Sequence, residues 1–136
     1  MKQTILVIAA FIGFLFTANQ ATAQANWPEL KAFHGVMSQT FHPMQEGDFK
    51  PIRSRSEEMA MKAKAVAQSN IPAEYNTKEI LAAVKKLSKD SKKLDKLVKK
   101  NGTDEAVTAS LTALHDVFHQ IMGLCNDHEE HGEHKH

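Results

Sequence analysis

The chain predicts an all-α protein, an up-down-up-down antiparallel four-helix bundle that follows a cleaved signal peptide. Three observations lead there. Every segment between the apolar N-terminus and the polar C-terminus repeats its apolar residues with helical period. No stretch alternates as a strand would, and the connections are too short for sequential helices to run in the same direction.

The opening MKQTILVIAAFIGFLFTANQATAQA has the form of a secretory signal. Lys2 is the positive n-region, Thr4 to Phe16 the apolar run, and Ala21-Thr22-Ala23 the small-x-small cleavage site. That places the mature N-terminus at Gln24, the bundle over 24–125 and a tail over 126–136. No cysteine follows the apolar run, which speaks against a lipoprotein. The expected location is the periplasm, with no membrane span once the signal is removed.

The first helix opens with Asn26 and Glu29 spaced as a capping box and Pro28 in the first turn. Its stripe is Trp27, Leu30, Phe33/His34, Met37 and Phe41, and His42-Pro43 should stop it. Asp48 is the expected N-cap of the second helix, with Pro51 behind it. That helix runs to about Ser69 with Ile52, Met59, Ala63 and Val66 inward. Residues 71–75 read as a connection. The third helix begins at Asn76/Thr77, where Asn76 and Glu79 match a capping box. Its stripe is Ile80/Leu81, Val84, Leu87, Ser91, Leu94 and Val98, and Gly102 should end it. The fourth is capped by Thr103 and continues through Val107, Leu111, Leu114, Phe118, Ile121 and Cys125.

The 17 Lys and Arg stand against 16 Asp and Glu, and losing Lys2 balances them. A near-neutral domain argues against bulk nucleic-acid binding. The chain shows no nucleophile-base set, phosphate loop or paired carboxylates, so an enzyme is not expected. A di-iron centre would need two Glu-x-x-His pairs on bundle helices. The single match, Glu133 with His136, lies in the tail.

Eight histidines carry the functional signal, because imidazole is the commonest ligand of transition metals. His34 falls in the stripe of the first helix. His115 and His119 are one turn apart at i, i+4 and project from one face of the fourth, a spacing that suits chelation of one ion. At about 1.5 Å per residue, antiparallel first and fourth helices put His34 and His119 at similar heights. His42 falls roughly 12 Å further along and Cys125 about 9 Å to the other side. The expected site is therefore His34, His115 and His119, with Met37 or Met122 nearby and His42 a separate or weaker ligand. Asp116 could orient an imidazole or simply be solvated. Cys125 is a buried thiol, an intermolecular crosslink or a soft metal ligand. The tail reads as disordered. Its His128, His131, His134 and His136 among carboxylates form either an adaptable capture arm for Zn, Cu or Ni or a merely solvating or tag-like tail, their spacing being unlike a tag's regular run. The lysines of the third helix form a solvated face or a docking surface for an acidic redox partner.

Phe118-His119-Gln120 resembles the surroundings of the haem histidine in the cytochrome b562 / cytochrome c′ group of exported bundles. His34 falls near that family's methionine ligand. The resemblance implies haem b held by His119 and by His34 or Met37, in an electron-transfer protein. There is no Cys-x-x-Cys-His for covalent haem, and His115, His42 and the tail have no counterpart in that scheme. Three readings therefore stand. One is an exported bundle binding a transition metal, with a metal-transport or redox protein as partner. The others are a b-type cytochrome and a cofactor-free interaction bundle.

Overall fold

The computed structural model describes residues 26–132, with side chains described through His128. The expected signal peptide, its cleavage site, His134 and His136 lie outside the described residues, as does the His131 side chain. Those described form four α-helices and a short 3-10 turn, with no strand. The helices are α1 (Pro28–Gln45), α2 (Lys50–Gln68), α3 (Lys78–Lys99) and α4 (Asp104–Gly132), the turn (Ala73–Tyr75) standing before α3. Each helix packs on the next in sequence, and α1 meets α4 more sparsely than the other neighbours meet. No described helix is long and apolar enough to cross a membrane.

The expected stripes are the core. From α1 it takes Leu30, Phe33, Met37 and Phe41; from α2 Ile52, Met59, Ala63 and Val66; from α3 Ile80, Val84, Leu87, Leu94 and Val98; and from α4 Val107, Leu111, Leu114, Phe118, Ile121 and Cys125. Leu81 departs from its expected place and is exposed. Two of the buried hydroxyls are satisfied: Thr40 Oγ1 donates to the Val36 carbonyl at 2.8 Å, and Ser56 Oγ donates across to Asp95 Oδ1 at 2.9 Å. The buried Ser91 Oγ has no hydrogen-bond partner among the described residues.

The helix ends differ from the sequence reading in instructive ways. The N-cap of α1 is Trp27, not Asn26, and no side-chain cap forms. Trp27 is fully buried. Its Nε1–H donates to Ser69 Oγ at 2.8 Å, and its ring stacks on Tyr75 at 6.3 Å. Burying an indole with its N–H satisfied outweighs one cap bond, which contributes about 1 kcal/mol, and it fixes where the helix starts. The 71–75 connection consequently supplies Tyr75 to the core.

The first helix also passes its expected stop. Pro43 lies inside α1, which continues to Gln45. In the last turn Pro43 forfeits only one helical bond, while its carbonyl accepts from Glu46 N and Asp48 N and the extra turn buries Met44.

Two other caps shift by one residue. Phe49, not Asp48, is the N-cap of α2, although Asp48 Oδ1 still accepts from Lys50 N at 3.1 Å. Thr77, not Asn76, caps α3 by accepting from Ile80 N. Thr103 caps α4 as expected, accepting from Ala106 N at 3.2 Å.

The third helix ends in a Schellman motif whose left-handed residue is Asn101, at φ 55°, rather than Gly102. Asn101 N bonds Val98 O and Gly102 N bonds Leu97 O, the pairing that motif requires. Gly102 is needed for space, since a Cβ there would sit 2.5 Å from Leu97 Cδ1. Finally, Asn126–Gly132, expected as disordered tail, continues α4.

Candidate metal centre on the seam between α1 and α4

The i, i+4 spacing on α4 does what helical geometry requires. His115 Nε2 and His119 Nε2 lie 3.1 Å apart, so one ring donates and the other accepts. Two nitrogens at about 2.05 Å from one ion stand about 2.9 Å apart at a right angle and about 3.3 Å at the tetrahedral angle. The observed separation falls between, so this pair fits adjacent ligands of a single ion once both rings carry their proton on Nδ1.

Each half-buried imidazole rests on a phenylalanine of the opposite helix. His115 of α4 stacks on Phe41 of α1, with centroids 3.8 Å apart and planes 7° from parallel. His34 of α1 stacks on Phe118 of α4 at 4.8 Å and 9°. Going up α1 from His34 to Phe41 means going down α4 from Phe118 to His115, so these two helices run in opposite directions. The reciprocal stacks limit how far either ring can swing, and Phe33 packs on Phe118 behind them. The sequence places Phe41 and Phe118 in the apolar stripes, and Phe118 also beside His119 in the haem-like tripeptide, but neither as a platform for a histidine of another helix. The one visible hint was that Phe33-His34, Phe41-His42 and Phe118-His119 repeat the same dipeptide.

Electrostatics joins four histidines along this seam. Burial, then the neighbouring His119 and His42, hold His34 below the ordinary histidine value. Burial, then His119, hold His115 down as well, with His42 and His34 adding to the effect and Asp116 opposing it. Both rings, His34 and His115, are thus biased toward the neutral form, the form that ligates metal. His42 was expected as an axial outlier. It stands on the seam near enough to disfavour charge on both His34 and His115, although its Nδ1 is also 3.4 Å from Gln45 Oε1. His42 and His119 are exposed and His34 and His115 half-buried, so the cluster opens to solvent rather than lying in the bundle centre.

The other sequence candidates fall elsewhere. Met37, Met122 and Cys125 are buried in the core, where sulfur packs well against aromatic and aliphatic neighbours. Asp116 and His128 are exposed. No group of three or more His, Cys, Asp or Glu among the described residues is arranged to hold a metal ion. The structure therefore brings the His115 and His119 nitrogens together and places His34 and His42 along the same seam. The chain matches no protein-family profile, no curated protein and no solved structure.

Proposed function

We propose that this protein is an exported, up-down-up-down antiparallel four-helix bundle that binds a transition metal of the Zn, Cu or Ni class on its α1–α4 seam. The observation that carries the proposal is the His115–His119 nitrogen pair at 3.1 Å, with the His115 ring braced on Phe41. His115 and His119 are the first ligands. His34 and His42 are the side chains to which a bound ion can recruit further bonds, and water or the His-rich C-terminus can complete the shell. A site with two fixed ligands and recruited others suits exchange: it captures an ion and surrenders it to a tighter site. The apolar N-terminal run supports the exported, periplasmic reading.

The test is a calorimetric titration with Zn(II), Cu(II) and Ni(II), with His128, His131, His134 and His136 all changed to Gln so that only the seam is read. One ion should bind, and His115→Ala with His119→Ala should abolish it. Unchanged stoichiometry and affinity in that double variant refute the proposal. Parallel titration with haem separates this reading from the cytochrome resemblance. A Soret band that disappears in His119→Ala would replace the ion reading.

A further inference from the structure

The lysines of α3 are confined to one side. At about 100° per residue, Lys78, Lys85, Lys89, Lys92, Lys96 and Lys100 fall within an arc of about 100°, opposite the buried face. Lys93 falls at the edge of the same arc, and all seven are exposed. The flanking Lys86 and Lys99 are neutralised, by Asp90 and by Asp95 with Glu57. The carboxylates of α3 (Glu79, Asp90 and Asp95) lie outside the arc. What remains is a row of ammonium groups about 33 Å long, with no ion pair among the described residues. The charge is segregated rather than merely abundant, because α4 has six carboxylates and no Lys or Arg. A solvated surface ordinarily mixes both signs.

The composition of the row selects its partner. Specific protein interfaces rely on buried aromatic and Arg anchors and are depleted in Lys. Nucleic-acid surfaces add Arg and stacking aromatics. The α3 row has neither. Lysine is a strongly hydrated point charge on a flexible stem, suited to a fluid layer of anionic headgroups that requires no fixed geometry and no dry core. We infer that α3 seats this protein on an anionic lipid surface through its lysine row. Because α3 packs on α2 and α4, across the bundle from α1, that pose leaves the α1–α4 histidines open to the aqueous phase. The inference does not depend on the ion site, so a failed metal titration leaves it intact.

Vesicle flotation of the full mature chain tests it. Binding is expected to vesicles holding about 30% phosphatidylglycerol in phosphatidylcholine, at about 0.05 M salt and not at about 0.5 M. None is expected to phosphatidylcholine alone. Lys85→Gln, Lys89→Gln, Lys92→Gln and Lys96→Gln together should weaken partitioning by more than about a hundredfold, at about fivefold per lysine. The paired lysines serve as the control: Lys86→Gln with Lys99→Gln should change it less than about threefold. These exposed substitutions preserve helix propensity, and an unchanged circular dichroism spectrum checks the fold. Absence of binding to anionic vesicles, an unaffected quadruple variant, or an equal loss per lysine in the control overturns the inference. So does tighter binding to polyglutamate or duplex DNA at equal salt, which would assign the row to an acidic protein or to nucleic acid.

Discussion

The stack of His115 on Phe41 makes the metal proposal accountable to a stability measurement. Phe41 is 6% exposed and its ring lies 3.8 Å, centroid to centroid, from the imidazole. Phe41→Leu keeps an apolar side chain in place but removes the flat face. The lost ring pair is worth about 0.5–1.5 kcal/mol beyond simple burial, and the change of shape adds up to about 1.5 kcal/mol. The expected total is about 0.5–3 kcal/mol, at roughly 4–8 °C of Tm per kcal/mol for a domain of this size. His115→Gln removes the other half of the same stack. Urea unfolding followed by far-UV circular dichroism, with chelator present and at about pH 7.5 where the imidazole is neutral, should therefore give a non-additive cycle. The double variant should be less destabilised than the two singles together by about 0.5–1.5 kcal/mol. Additivity within about 0.3 kcal/mol would show that the stack braces nothing. With metal, Phe41→Leu should keep the stoichiometry of one ion and weaken the affinity, since the ligand ring must then be ordered on binding.

Acid should destabilise the metal-free fold. His34 and His115 are held below 6.5 in the native state, so between the unfolded and folded values the unfolded chain binds more protons. Stability is then full above pH 6.5, falls as the pH drops below it and levels off beneath the folded values; His34→Gln and His115→Gln should each flatten a plot of urea midpoint against pH. At the end of α3 the structure predicts opposite effects at adjacent residues. Gly102→Ala drives a Cβ to 2.5 Å from Leu97 Cδ1 and should cost about 1–3 kcal/mol, whereas Asn101→Gly relieves a left-handed residue and should be neutral or raise Tm. Equal losses at both would refute the Schellman assignment. Thr103→Ala removes the α4 cap and should lower stability by about 0.5–2 kcal/mol, with the loss visible in thermal melts.

How much was legible beforehand follows the range of each interaction. The buried stripes of all four helices and the convergence of His115 with His119 are local consequences of a 3.6-residue repeat, and both were readable. The caps were readable only where nothing distant competed. Thr103 faces no such competition and caps as expected. Asn26 does not, because the burial of Trp27 against Tyr75 and Ser69, residues more than forty positions away in sequence, sets the start of α1. Pro43 likewise looked like a stop until the burial of Met44 showed what the added turn gains.

The sequence by itself therefore determined the helical class, the inward faces, the candidate histidines and the lysine-rich helix, since each depends on neighbours along one segment. Only the tertiary structure decided that Phe41 and Phe118 become platforms for histidines of the opposite helix, and that His42 acts electrostatically on His34 and His115. The physical reason is phase. Moving one helix by one residue against its neighbour turns its side chains by about 100° and shifts them about 1.5 Å, and which partners then meet is fixed by the packing of the whole core.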